Sequence, residues 1–361
     1  MILNRFLKVV GLVLMSTLCV QAQQDDDEYD FDNATFADTT KTKTYANPKI
    51  FGLSPQRFVS VGWDYQGTHQ ARFSAIGQYD DEESPEVAEE SKVNSTQGLR
   101  IGLMAPVISK NRFLWQMSAN FWNVNYNISP TFKKDSSAGL SNILGNRALN
   151  NLNYINTIYV PLDEKRFILL QGQADLSGNY NFKDFQSLKF LRYSGAALWG
   201  KRPNDRKQWA IGISRTYRVG NMNYIPVLLF NYTSENRKWG TEILFPARAS
   251  YRRTFSPRSL LLIGYELEGQ SYRIAELSTP SQSFEIRRGE LRPRLDYQRQ
   301  LYGFFWLGVQ VGARIDYSFD ADYLANNKEF FRGFFGNQKF AMKNSLSTTP
   351  FVNVSINFVS P

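Results

Sequence analysis

The chain reads as a succession of short two-faced segments. Between Ser259 and Tyr272, Leu261, Ile263, Tyr265 and Leu267 share one parity, while Gly264, Glu266 and Glu268 share the other. Successive side chains of a strand point to opposite faces, so this spacing predicts a strand with one apolar and one charged face. Phe58–Gln66 repeats the pattern, setting Val59, Val61, Trp63 and Tyr65 against Ser60, Gly62 and Asp64. So do Gly98–Ala105, Phe113–Tyr126, Arg166–Ser177, Leu188–Gly200, Gln208–Val219, Glu285–Gln298, Gly303–Tyr317 and Thr348–Phe358, with Leu152–Val160 a weaker case. The stretch Tyr224–Tyr272 holds several such runs between polar turns and supplies four strands.

A soluble sandwich would bury the apolar face against a second sheet. A membrane barrel turns that face to lipid and keeps the polar face in its lumen. Three regularities favour the barrel. The connections mostly alternate, long after the first strand (an acidic loop with Asp80–Glu83 and Glu86–Glu90), short after the second, long after the third (a Ser-, Asn- and Gly-rich loop over about Ser129–Asn150), as short periplasmic turns and longer outer loops do. Aromatic residues cluster where strands border the short turns: Trp115, Trp199, Trp209, Tyr232, Trp239, Tyr297, Phe305 and Phe358. Amphipathic rings at one level suit a lipid–water boundary. The last strand alternates Val352, Val354, Ile356 and Phe358 against Asn353, Ser355 and Asn357, similar to the terminal strand that barrel-assembly machinery recognises, although Val359-Ser360-Pro361 follow the aromatic. The expected fold is all-β: a transmembrane antiparallel up-and-down β-barrel of about 14 strands over residues 56–358. The weak point is Pro246-Ala247; if it marks a bulge rather than a turn, the count falls to about 12. Asn142–Leu149 could form one or two helical turns, and no apolar run after residue 22 approaches the length of a spanning helix.

Residues 1–22 read as a signal peptide, with Arg5 and Lys8 before an apolar Val9–Val20 and a cut after Val20-Gln21-Ala22. The single cysteine, Cys19, falls inside it, and Leu18 before it does not suit lipidation. A mature chain would then have no cysteine for a disulfide or a metal. Residues 23–55 form the expected disordered, periplasmic N-terminal tail, with acidic residues from Asp25 to Asp32 and little to bury. Aromatic residues make up 15% of the chain, which fits strands and interfaces. The formal charge of +9, or +7 without Arg5 and Lys8, is spread one arginine at a time, and nucleic-acid binding needs a clustered basic face. The location implied is the outer membrane of a Gram-negative bacterium, with outer-membrane lipid and lipopolysaccharide as surroundings.

Candidate chemistry is sparse. The one histidine, His69, has Ser74 and Asp64 near it in sequence but no nucleophile motif around it, so the expectation is an exposed loop residue and no enzyme. No phosphate-binding loop, dinucleotide signature, cofactor site or metal-ligand set is present in the sequence. The informative feature is the charged face. By parity, Glu242, Glu266, Glu268, Glu290 and Asp296 point inward together with Arg248, Arg252, Arg288, Arg292, Arg294 and Arg314. They predict either a ladder of ion pairs filling the lumen or a polar constriction, with Arg252 the first partner expected for Glu266 and Arg292 the alternative.

The series Pro226, Asn231, Lys238-Trp239-Gly240, Glu242, Pro246-Ala247-Arg248, Ser256-Pro257, Gly264, Glu266, Gly269 and Tyr272 resembles an uncharacterised family of outer-membrane β-barrels common in Bacteroidota. The resemblance implies the location and the fold, and brings no activity, substrate or catalytic residue. Two functional expectations follow: a passive pore or solute channel, or a non-conducting barrel acting through outer loops as an adhesin, anchor or assembly partner. The aromatic segment Phe330–Gly336 would serve either as a sticky loop or as a plug.

Overall fold

The computed structural model describes residues 46–79, 85–181, 191–219, 221–279, 282–325 and 340–359. The leader, the acidic stretch Asp25–Asp32, the run Asp80–Glu83 and the segment Phe330–Gly336 lie outside the described residues. Among the described residues, 14 strands close into one antiparallel barrel. They are β1 (Arg57–Gln66), β3 (Val87–Lys110), β4 (Phe113–Lys133), β5 (Leu149–Pro161), β6 (Arg166–Gly178), β7 (Leu191–Asn204), β8 (Lys207–Val219), β9 (Asn221–Thr233), β10 (Trp239–Phe245), β11 (Arg248–Ser256), β12 (Ser259–Arg273), β13 (Gln282–Tyr302), β14 (Phe305–Ser318) and β17 (Thr349–Val359). Closure comes from β17, which pairs with β14 on one side and β1 on the other. Three short strands, β2 (His69–Ser74), β15 (Ala321–Ala325) and β16 (Ser345–Leu346), and a helix α1 (Leu140–Asn146) stand on the long-loop end.

Parity is continuous around the ring. Starting from Asp64 and following the register through β17, β14 and β13, the inward set includes Asn353, Gln310 and Asp296. On the other face Ile211 and Ile213 are 54% and 55% exposed, and Val61, Ile263, Val354 and Ile356 stand open like them. An apolar outer face and a polar inner face are what lipid requires of a closed sheet. The girdle forms at the short-turn end: Trp199 packs on Trp209, Tyr232 on Trp239, and Phe305 on Phe358. Trp115 donates its indole N–H to Asn156 at 3.1 Å, and Tyr297 faces outward between Leu261 and Val309.

Four expectations change. Pro246-Ala247 is a genuine two-residue turn between β10 and β11, which removes the 12-strand alternative. Glu86–Glu90 is mostly not loop, because β3 begins at Val87 and pairs there with the far end of β4. The Ser129–Asn150 loop is shortened by β4, which runs to Lys133, and by α1, whose Leu140 and Leu144 turn one face into a core. That core also takes Val93, Val124, Tyr126, Tyr272, Phe284 and Met342, so the inward face turns from polar to apolar at the long-loop end. Here β12 also meets a strand that is not its neighbour in the ring: Arg273 bridges to Gly178 of β6, and Asn179 N–H donates to Arg273 O at 3.0 Å.

The fourth change concerns the tail. From Ala46 onward the segment ahead of β1 is fixed to the barrel, so the boundary at residue 55 is too late. Ala46 is buried among Tyr159, Phe167, Leu198 and Ala210 of the inner wall. Its N–H donates to Asp163 O at 2.9 Å, and Phe51 N–H donates to Asp205 O at 2.8 Å, on two successive short turns. Ser54 donates its N–H and its hydroxyl to Glu242 at 2.9 and 2.8 Å. This strap, residues 46–56, crosses the short-turn mouth and enters the lumen.

Candidate lumenal site

The register carries the eleven charged residues named from parity on the same face of the sheet as Asp64, and Asp64, Arg100 and Asp316 enter the cluster that they form. Asp64 is the hub. Its carboxylate accepts from Arg314 at 2.7 Å, from Arg292 at 3.2 Å, from Asn353 at 3.1 Å and from Arg100 Nε. Arg100 also forks onto Glu268, donating from both terminal nitrogens at 2.8 Å. The forked geometry makes this the strongest kind of carboxylate pair.

Register explains the rest. Glu268 lies directly opposite Glu290 on β13, and Arg292 directly opposite Glu266. Two facing carboxylates repel, and Arg292 relieves them by bonding Glu268 and sitting 3.6 Å from Glu290. That leaves Glu266 to its diagonal neighbour Arg294. The expected first partner, Arg252, is instead held by Glu242 at 2.5 Å and Thr233 at 2.9 Å. Farther up, Arg288 pairs with Glu290 at 2.5 Å and approaches Asp316 at 3.7 Å. The inner cluster thus balances Arg100, Arg288, Arg292 and Arg314 against Asp64, Glu268, Glu290 and Asp316. The Phe351 ring lies under both Arg292 and Arg314, with the cations 4.9 and 5.2 Å from its centre. Toward the short-turn end Asp296 accepts from Arg57 at 3.4 Å, Gln298 at 3.1 Å and Gln310 at 3.2 Å. Arg248 faces Glu266 across the β11–β12 register.

Two glycines from the family-like series make this packing possible. A Cβ on Gly240 would come within 2.6 Å of the Arg252 guanidinium, so glycine there gives that side chain its room. A Cβ on Gly264 would meet Ala249 O at 1.9 Å, so glycine lets β11 and β12 curve closely inward.

His69 is not the exposed loop residue expected from sequence. It begins β2, is buried, and its Nδ1 lies 3.0 Å from Gly67 O. The Ser74 hydroxyl donates to Ala75 O, and Asp64 is committed to its arginines, so these three residues do not assemble a triad. Among the described residues no group of three or more His, Cys, Asp or Glu side chains is placed to hold a metal ion.

Beside the ion cluster the lumen holds a cavity of about 710 Å³. It extends from Ser54, Gln56 and Arg57 of the strap and β1 to Thr216 and Gln270. The cluster lies on the arc β12–β13–β14–β17–β1–β3, and the facing arc presents Gln116, Asn120, Asn153, Gln173 and Ser194. Asn120 donates to Asn153 at 2.9 Å, and Gln173 to both oxygens of Asp175 at 2.7 and 2.8 Å.

No family model matches the sequence, and no curated protein does. Among solved structures the chain is similar to the toluene transporter TodX of Pseudomonas putida, at 10% identity over 87% of this chain and 95% of that one, TM-score 0.34. It is similar to a FadL homologue of Pseudomonas aeruginosa at 7% identity, over 85% and 91% of the two chains, TM-score 0.31. It is also similar to the outer-membrane protease OmpT of Escherichia coli at 8% identity, over 85% and 99%, TM-score 0.27. These proteins differ in function among themselves, and at such scores neither transport nor proteolysis passes from them to this chain.

Proposed function

We propose that the chain is an outer-membrane channel for small polar solutes. The observation that carries this reading is the 710 Å³ polar cavity inside an otherwise packed barrel. A barrel that served only to hold outer loops would have no use for a water-accessible chamber walled by amides and ion pairs. The strap over residues 46–56 narrows the short-turn mouth, and the apolar core around α1 fills the long-loop end. In this reading the short turns face the periplasm, a signal peptide directs export, and outer-membrane lipid and lipopolysaccharide surround the wall. Barrel-assembly machinery inserts it, and the resemblance of the Lys238-Trp239-Gly240 series to the uncharacterised barrel family common in Bacteroidota supports the same location.

The test is planar-bilayer conductance of the purified protein beside a variant lacking residues 46–54. Discrete steps from the native barrel, larger or more frequent without the strap, are expected. The folded apolar core at the long-loop end favours a second reading, a non-conducting barrel that acts through that end. Silence from both proteins, each folded, would select the second reading.

A further inference from the structure

The lumenal cavity also carries an inference about what it holds. Among the described residues its lining includes five arginines and six carboxylates, a near balance. The charges are interleaved as pairs rather than gathered by sign: Arg294 with Glu266, Arg292 and Arg100 with Glu268, Arg57 with Asp296. An ion entering such a space finds little net field, and binding it would require opening a pair whose partner then stays in a low-dielectric interior. The opposite wall is of another kind: beside one carboxylate, Asp175, which accepts from Gln173, it presents neutral polar groups. Gln116, Asn120, Asn153 and Gln173 offer amides, and Ser118 and Ser194 offer hydroxyls. Each of these groups both donates and accepts. A hydroxyl does the same, so a neutral polyhydroxylated molecule can satisfy this wall where a carboxylate or an ammonium could satisfy only half of it. Trp122 lines the same chamber, its indole N–H donated to Tyr272 at 3.1 Å, and so adds an apolar surface beside the amides. The volume lies within the roughly 300–1,000 Å³ of small-molecule sites.

We propose that the cavity is a binding site for a neutral, hydroxyl-rich solute of mono- to disaccharide size, with Asn153 and Gln173 among its contacts. The inference rests on the channel reading and names that channel's solute class.

Equilibrium dialysis of the detergent-solubilised barrel tests it without depending on conduction or on the speed of entry. The probes are maltose and sucrose, with citrate and spermidine as charged competitors. Saturable sugar binding is expected, changed less than about twofold between 50 and 500 mM NaCl, because screening acts on charges and not on neutral ligands. Asn153→Ala and Gln173→Ala should each weaken it roughly fivefold to tenfold, the effect of one lost hydrogen bond. Ile211→Ala, on the lipid face, should leave it unchanged. Heat-modifiable gel migration reports whether each variant is folded, and Gln173→Ala alone suffices if the other does not fold. Tighter binding of citrate or spermidine than of either sugar, strong salt dependence, or no saturable sugar binding would overturn the proposal. Sugar binding by a barrel that never conducts would sink the channel reading alone. Conduction without sugar binding would sink this inference alone.

Discussion

Replacing Asp64 by asparagine keeps the shape of the hub and removes its charge. The inner cluster balances four guanidinium groups against four carboxylates, so Asp64→Asn leaves one uncompensated positive charge in a space where Arg288, Arg292 and Arg314 are each almost fully buried. Arg100 and Arg292 keep Glu268. Arg314 loses most, because its remaining carboxylate, Glu290, is 3.7 Å away. Breaking a buried pair from one side costs about 3–5 kcal/mol, and asparagine's retained oxygen puts this case at the lower end. Adding Arg314→Gln removes the orphaned charge and should return roughly half of the loss, about 1.5–2 kcal/mol, and the coupling energy is that gain plus the cost of Arg314→Gln alone. Guanidinium-chloride unfolding in detergent, followed by tryptophan fluorescence and gel mobility, gives the four corners of the cycle. A single-variant cost below about 1 kcal/mol, or a double variant no more stable than Asp64→Asn, would refute the role of Asp64 as the hub of the buried arginines.

The remaining predictions use other parts of the wall. Val309→Arg places a charge against lipid and should lower stability by about 2–4 kcal/mol near the midplane, while Gln310→Arg, beside Asp296 at 3.2 Å, should be mild; equal folding yields would contradict the parity. Gly264→Ala should cost roughly 1–3 kcal/mol by pushing β11 from β12, and a fully native folding yield would show that the close approach to Ala249 O is not needed. In the turn between β5 and β6, Asp163 accepts from the N–H groups of Lys165 and Arg166 at 2.9 and 2.6 Å and from the Arg166 side chain, which together pull its carboxyl down to about 2. Because the folded value lies below the unfolded one, the turn's contribution is present above about pH 4 and lost as pH falls through about 2. The Asp163 carboxyl resonance should therefore titrate with a midpoint near 2, and a midpoint near 4 would remove these bonds.

The strands and their facing were legible because lipid enforces period-two alternation along most of the wall, as in Val352, Val354 and Ile356 against Asn353, Ser355 and Asn357. The charged face of β12–β14 was legible for the same reason. Asp64 was not, because nothing in its own strand distinguishes it from a solvated carboxylate; its arginines come from 36, 228 and 250 residues away in the chain. The partner of Glu266 was missed because parity fixes the face and not the register, and long side chains reach diagonal neighbours once the opposite residue is taken. The strap escaped notice because it buries little beyond Ala46 and Ile50 and is held by backbone and hydroxyl bonds to turns and to Glu242. The apolar core at the long-loop end was hidden by its continuity with the strands. Tyr126, Tyr272 and Ile286 keep the inward parity of the polar residues below them and differ only in kind.

The placement of charge around the ring separates stability from passage. The strands that supply the inner cluster, β12, β13, β14, β1 and β3, together with β17, form one continuous arc. The ion pairs of the inner cluster brace that arc across its own strands, while nearer the long-loop end Glu285 of β13 pairs with Arg192 of β7. A solute in the cavity would run along the amide-rich wall and meet the cluster where Asp64, Arg100, Arg292, Glu266, Glu268 and Arg294 line the chamber, each already held in an ion pair. Nothing in such a path requires the buried pairs to open. Variants of Asp64 should then change unfolding far more than solute binding, and variants of Gln173 should do the reverse. A barrel in which both classes of variant moved both measurements together would have a single interdependent filling, and the division of its lumen into a braced arc and a solute-facing arc would fail.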